Sequence, residues 1–186
     1  MSGVLRAGAL YAALALAMTW PLAARVTNEI PAGGDNLYVA WSLAWIAHAA
    51  VHAPADILHG NIFHPARYAL AFSDPNLSSG LALVPVHLAG GNPALLLNVM
   101  MLASFVLCGA AVFVLVRDWG ATERAAVAAG VFFAFSPLRF SHLDHLQLYS
   151  FWWTPLALLA FDRYLREGRR RQAWMTGLLV VAQIHA

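Results

Sequence analysis

Side chains that could take part in chemistry gather in two polar stretches of an otherwise apolar chain. The first, residues 26–92, contains four of the nine acidic residues and five of the eight histidines, and Asp35 lies near its start. The second, residues 136–147, contains Arg139, Asp144 and two histidines. Carboxylates and imidazoles suit proton transfer, and an arginine beside them suits contact with a phosphate. Both stretches are therefore candidates for a reaction site.

Asp35 follows a Gly-Gly turn and precedes a predicted helix over 36–52. One stripe of this helix has apolar, aromatic and imidazole side chains: Leu37, Trp41, Trp45, His48 and His52. Such a helix suits the headgroup layer of a membrane, and its N-terminal N–H groups favour an anion nearby. The local pattern alone favours Asp35 as a plain helix cap over a reactive carboxylate. Asp74, just before Pro75, is typical of a turn.

The second stretch offers candidate metal ligands. If it is helical, His142 and His145 share a face, while Asp144 points roughly 200° away from His142. Histidine and carboxylate are suitable ligands for Zn or Mn, and carboxylate alone for Mg. Two histidines and one acid fit an interfacial polar turn equally well. Arg139 is the only basic residue in the stretch, which makes it a candidate phosphate contact; its alternative is snorkelling at the membrane interface.

Composition indicates a membrane protein. The 186 residues are 61% hydrophobic and 11% charged, with a mean hydropathy of +0.64. Soluble domains have about a quarter charged residues. All eleven basic residues are arginines, and they cluster at predicted helix ends rather than forming a patch, which argues against nucleic-acid binding. The single Cys108 cannot form an intramolecular disulfide.

Five apolar segments predict an all-α, polytopic membrane fold, since a crossing needs roughly 20 residues. The predicted spans are 7–24, 93–116, 125–140, 149–165 and 172–186, with Pro137 ending or kinking the third. They leave outer loops at 26–92 and 139–148. Residues 36–52 and 79–90 either lie on the membrane or cross it, and the short second segment favours membrane-parallel helices in a long first loop.

Arginines set the predicted orientation. Five of them lie between Arg163 and Arg171, a connection that the positive-inside rule places in the cytoplasm. The N-terminus is then cytoplasmic, and both outer loops face the extracytoplasmic side. Two polar side chains have structural interpretations: Asn98 as an interhelix hydrogen bond, and Asp162 as a charge pair with Arg163 and Arg166.

The layout resembles the GT-C-type integral-membrane glycosyltransferases, in particular uncharacterised bacterial members. The segments that carry the resemblance are GDNLYVAW at 34–41 and FSPLRFSHLDHLQ at 135–147. In that family the donor is a lipid-linked sugar phosphate, and transfer occurs on the outer face. The position matching the family's first-loop carboxylate is Asp35. Asp144 occupies the place of a DxD-like, metal-holding pair, but here a single acid is flanked by histidines.

The resemblance implies a bacterial cytoplasmic-membrane enzyme that transfers a sugar from a polyprenyl-phosphate donor to an acceptor that the sequence does not identify. It implies Asp35 as catalytic residue, Arg139 as donor-phosphate contact, and Trp41 and Asp74 as substrate contacts. A divalent metal, Mg or Mn, would be held by Asp144 and the two histidines of its loop, and no other cofactor is expected. Membrane lipids surround the spans, and the chain is expected to be the single N-terminal part, 1–186, of a longer GT-C-like domain.

Two other functions compete. A transporter or lipid flippase module would place polar residues at the midplane of the bilayer, whereas here they cluster at the outer interface. A structural subunit of an envelope complex would tolerate Asp35→Asn. The sequence therefore favours the enzyme, then the transporter, then the subunit.

Overall fold

The structure, a computed structural model, describes residues 2–186, and the side chains of all of these except Ser2 and Tyr149. The described chain is all-α, as predicted, and contains no strand. The α-helices are α1 (Ser2–Met18), α2 (Gly34–His52), α3 (Leu77–Ala82), α4 (Val84–Leu88), α5 (Pro93–Asp118), α6 (Glu123–Ala134), α7 (Pro137–Phe140), α8 (Leu146–Tyr149), α9 (Trp153–Glu167) and α10 (Arg170–Ile184). Short 3₁₀ turns lie at Leu22–Ala24, Pro54–Asp56 and Ala69–Phe72.

A helix lies at each of the five predicted spans, but among residues 2–186 only α5 is long and apolar enough to cross a membrane. It has 26 residues, and its most apolar window has a mean hydropathy of 2.7. The other four, α1, α6, α9 and α10, have 17, 12, 15 and 15 residues, against roughly 20 for a crossing. The all-α prediction is confirmed, whereas the polytopic arrangement is not established by helix length.

Two helices end earlier than the predicted spans, and proline explains both ends. Helix α1 stops at Met18 instead of reaching 24, three residues before Pro21. Helix α6 stops at Ala134 instead of continuing to 140. Ser136 is extended, as the residue before a proline prefers, and Pro137 begins α7 as its first residue. The predicted break at Pro137 is therefore confirmed.

The chain forms two compact units. The first unit contains residues up to Thr19, Leu102–His142 and Leu148–Ile184; the second contains Trp20–Met101, Leu143–Gln147 and His185–Ala186. Helix α5 contributes its C-terminal part to the first unit and its N-terminal part to the second.

The core of the first unit is built around Tyr11 of α1, whose side chain is fully buried. Its hydroxyl donates to the carbonyl of Val127 on α6 at 3.2 Å. Two glycines allow this approach, because a Cβ on Gly109 would lie 2.7 Å from the Tyr11 ring and one on Gly130 would overlap the Tyr11 hydroxyl. Glycine thus lets α1, α5 and α6 meet closely around one aromatic side chain.

Charged side chains of the first unit meet where α5 ends. Asp118 accepts from the Nε of Arg163 at 3.0 Å and also from Arg166. Arg166 pairs with Asp162 at 2.7 Å. The predicted pairing of Asp162 with Arg166 is confirmed, while Arg163 binds Asp118 instead, because a contact between distant helices cannot be read from i, i+4 spacing.

In the second unit, asparagine side chains fix the segment that leads to Asp35. Buried Asn98 donates to the carbonyls of Val26 at 2.8 Å and Glu29 at 2.6 Å, so the predicted interhelix hydrogen bond is wrong. Asn36 donates to the carbonyl of Pro31 at 2.9 Å. These asparagine bonds form because backbone carbonyls outside a helix have no helical partners, and buried side-chain amides satisfy them.

Helix α2 forms the centre of the second unit and packs on α3 and α4. A Cβ on Gly80 of α3 would lie 2.6 Å from the Cβ of Ile46 on α2, so the two helices approach through a glycine. The buried side of α2 includes Val39, Leu43 and Ile46. This packing makes α2 a rigid support for the side chains at its N-terminal end.

Candidate functional site

Asp35 is the second residue of α2, and it does not cap the helix. The capping position is Gly33, which has no side chain to offer. The cap interpretation favoured by the local pattern is therefore wrong. The Asp35 side chain is 61% exposed and directs Oδ2 to another residue, His145. The acid is thus available for a role beyond helix initiation.

His145 lies between two carboxylates. Its Nε2 is 3.2 Å from Oδ2 of Asp35, and its Nδ1 is 2.7 Å from Oδ1 of Asp144. A neutral imidazole has a single N–H and can donate to only one of them. The arrangement is therefore a chain of three side chains, Asp35–His145–Asp144, whose middle member also orients Asp35.

Gly33 permits this chain to form. Its φ of +147° belongs to a region that side chains disfavour. A Cβ on Gly33 would overlap the Cβ of Asp144 and lie 3.3 Å from its Cγ. The segment with Asp144 and His145 therefore packs on the start of α2, and it can do so only because Gly33 has no side chain.

A small polar pocket adjoins Asp35. It measures about 180 Å³ and brings Asp35 together with the predicted substrate contact Asp74. Its lining consists of Asp35, Tyr38, Val39, Ser73, Asp74, Asn76 and Gln147. Asn76 fixes the turn after Asp74 by donating to the Asp74 carbonyl at 3.1 Å. The turn interpretation of Asp74 and its place beside Asp35 are thus compatible.

Trp41 lies on another side of α2. It is six positions from Asp35, about 240° around the helix axis. It lines a larger pocket of about 660 Å³ together with Trp45, His48 and His87. Its indole Nε1 donates to Oδ1 of Asn61 at 2.8 Å. Trp41 is therefore not a contact of the pocket beside Asp35, and its role in binding substrate stays a prediction for the larger pocket.

Arg139 belongs to the first unit and is only 6% exposed. Its guanidinium lies 4.7 Å from the centroid of the Phe105 ring, and Nη2 donates to Ser104 Oγ at 3.1 Å. It also lines an apolar pocket of about 390 Å³ with Phe132 and Phe151. A phosphate would have to reach Arg139 through that pocket, and this contact stays a prediction.

The donor set around Asp144 does not fit a single metal ion. His145 has both ring nitrogens on carboxylates, and Nδ1 of His142 donates to the carbonyl of Leu138 at 2.9 Å. The segment is not a continuous helix, because α7 ends at Phe140 and α8 begins at Leu146, so the two histidines do not share a helical face. Among the described side chains, no group of three or more His, Cys, Asp or Glu is arranged to hold a metal. A divalent ion at this site stays a prediction.

Six residues of the site were not predicted, and Val39 and Ser73 are two of them. Tyr38 is three positions after Asp35, so helical spacing could have placed the two on one side of α2. Asn76 and Gln147 are polar residues of the two stretches and gave no sign that they face Asp35. Gly33 gave a turn signal but not its contact with Asp144, because that contact joins residues more than 100 positions apart.

Comparison of the chain with protein-family models, with curated proteins and with solved structures found no match.

Proposed function

We propose that this protein is a membrane glycosyltransferase that moves a sugar from a polyprenyl-phosphate donor to an acceptor on the extracytoplasmic face of the bacterial cytoplasmic membrane. The observation that carries the proposal is the Asp35–His145–Asp144 chain beside a polar pocket. A carboxylate that a histidine holds in place, beside a pocket of the size of one sugar ring, suits removal of a proton from a hydroxyl. The resemblance of segments 34–41 and 135–147 to GT-C enzymes supports the same reaction.

In the proposed reaction, an acceptor hydroxyl oxygen attacks the anomeric carbon of the donor sugar. The bond from that carbon to the phosphate oxygen breaks, and the phosphate leaves with the electron pair. Asp35 takes the hydroxyl proton. Because His145 holds Oδ2, the other oxygen of Asp35 is the one that accepts it. His145 is a positioning residue here, since it acts through Asp35.

The proposed donor contacts are Arg139 and the apolar pocket that it lines. Arg139 would stabilise the charge that develops on the leaving phosphate. The aromatic side chains that share its pocket, Phe132 and Phe151 among them, would take the first part of the prenyl chain. Helix α5 is long and apolar enough to cross a bilayer, which supports the membrane location, and in this proposal the shorter helices would complete a multi-pass arrangement.

The proposal is tested by transfer of label from a radiolabelled polyprenyl-phosphate sugar pool, in membranes that contain the protein expressed from its whole gene. Wild type, Asp35→Asn and the control Asp56→Asn are compared at equal protein level. Asp56 is an exposed acid of the same polar stretch that does not line the pocket. We expect Asp35→Asn to lower transfer by about 10²–10⁴-fold, the range for a general base, and Asp56→Asn to match wild type.

Two results would contradict this. Equal transfer by wild type and Asp35→Asn would remove Asp35 from the chemistry. No transfer by wild type from any polyprenyl-linked donor in the pool would refute glycosyl transfer and favour the transporter hypothesis.

A further inference from the structure

The pocket beside Asp35 is richer in hydrogen-bond acceptors than in donors. Two of its lining groups are the carboxylates of Asp35 and Asp74, which in their ionised form accept hydrogen bonds and cannot donate them. Gln147 adds one acceptor and one donating amide, and the hydroxyls of Tyr38 and Ser73 serve either way. A ligand that satisfies this lining must therefore bring several donors of its own.

Two lining residues, Asn76 and Tyr38, have buried polar atoms without partners among the described residues. Asn76 is fully buried, and its Nδ2 donates to the carbonyl of Asp74 and, at 3.4 Å, to Ser42 Oγ. Within the described part of the chain, no group donates to Oδ1 of Asn76, and the buried hydroxyl of Tyr38 also has no partner there. Buried polar atoms without partners are costly and uncommon. Both residues line the pocket, and a ligand hydroxyl would reach these two atoms only after a small shift of the lining, because neither atom is accessible to water.

Charge and size narrow the ligand further. No arginine or lysine is among the described residues that line the pocket. A ring with a carboxylate or phosphate would lie beside the carboxylates of Asp35 and Asp74, of which Asp35 is in contact with His145, and like charges at such distances repel. The volume of about 180 Å³ is below the roughly 300–1,000 Å³ of pockets for drug-sized ligands, which suits one sugar ring.

We propose that this pocket binds a single uncharged sugar ring and rejects rings that bear a carboxylate or a phosphate, with Asp74 as the residue that determines this specificity. The assignment of that ring to the transferred sugar or its acceptor rests on the proposed function. The binding preference itself requires no transfer. Asp74 acts through its charge, since its backbone carbonyl, and not its side chain, holds Asn76.

The test is binding of methyl glucoside and methyl glucuronide to the whole protein, measured by saturation-transfer NMR in a detergent without a sugar head group. In wild type we expect the glucoside to bind at least about tenfold tighter than the glucuronide. Each of the two acids, if it lies about 4 Å from the charge of the glucuronide, lowers the affinity for it by roughly fivefold in water. Asp74→Asn narrows that ratio by about fivefold. Asp56→Asn, which is outside the pocket, leaves the ratio unchanged, and circular dichroism confirms that both variants are folded.

Equal binding of the two glycosides by wild type, or a ratio that Asp74→Asn does not change, would overturn the charge selection. Binding of neither glycoside would overturn the pocket as a sugar site. These failures are distinct from failure of the proposed function, which is scored by label transfer. A protein that transfers sugar but binds both glycosides equally is an enzyme without charge selection. A protein that binds selectively but transfers no sugar has the selective pocket without the proposed reaction.

Discussion

Replacing Gly33 with alanine puts a methyl group where Asp144 already lies. The new Cβ would overlap the Cβ of Asp144, which is attached to backbone and cannot swing away. Overpacking of this kind costs about 1–3 kcal/mol. The φ of +147° adds about 1–3 kcal/mol, the typical cost of such a conformation for a residue with a side chain. The expected loss of unfolding free energy is therefore roughly 2–6 kcal/mol.

The measurement is thermal unfolding of the purified protein, with Gly34→Ala as the matched control. For a chain of this size 1 kcal/mol shifts Tm by about 2–4 °C, so Gly33→Ala should lower Tm by about 4–24 °C. A Cβ on Gly34, the first residue of α2, would have no atom of another part of the chain within 4 Å. Alanine there should keep or raise Tm, because it favours a helix over glycine by about 0.5–1 kcal/mol. If both variants melt like wild type, residues 143–147 do not pack on Gly33, and the geometry of the Asp35–His145–Asp144 chain is wrong.

Two further changes test the supports of the fold. Gly130→Ala should lower the unfolding free energy by about 1–3 kcal/mol, because its Cβ would meet the Tyr11 hydroxyl and lie 2.7 Å from the Gly109 carbonyl oxygen. Gly177→Ala, whose Cβ meets nothing within 4 Å, is the control, and equal melting of the pair would contradict the close packing around Tyr11. Asn98→Ala should cost about 1–3 kcal/mol by leaving the carbonyls of Val26 and Glu29 without their donor. Faster amide hydrogen exchange confined to the second unit would accompany it, and unchanged exchange and stability would refute that role.

The positions of the main helices could be predicted from apolar runs, and their ends only where proline gives a local reason. The break at Pro137 follows from the geometry of the residue before it, Ser136. The early end of α1 was missed because the prediction followed the apolar run past Met18 and overlooked Pro21, three residues later. Apolar composition reports burial or lipid contact and does not set where backbone hydrogen bonding stops.

Part of the candidate site could be predicted from the sequence, but its arrangement could not. The resemblance singled out Asp35 and Asp144, whereas local pattern alone favoured a helix cap for Asp35 and a turn for Asp74. Their grouping depends on two returns of the chain to the N-terminus of α2, and no local period encodes such contacts. The separation of Trp41 from Asp35, in contrast, could be predicted from the sequence, because an offset of six residues places them on different sides of a helix.

The position of His145 bears on two kinds of chemistry predicted for the second polar stretch. Residue types alone suggest a metal site, since a ligating histidine must offer a lone pair from one ring nitrogen. Here both nitrogens lie within 3.2 Å of carboxylate oxygens, so the imidazole cannot bridge Asp35 and Asp144 and bind an ion at the same time. Moving the ring to a metal would also release Asp35 from the contact that orients it. The bridged arrangement therefore supports the proposal that Asp35 takes up a proton and that Asp144 acts through His145.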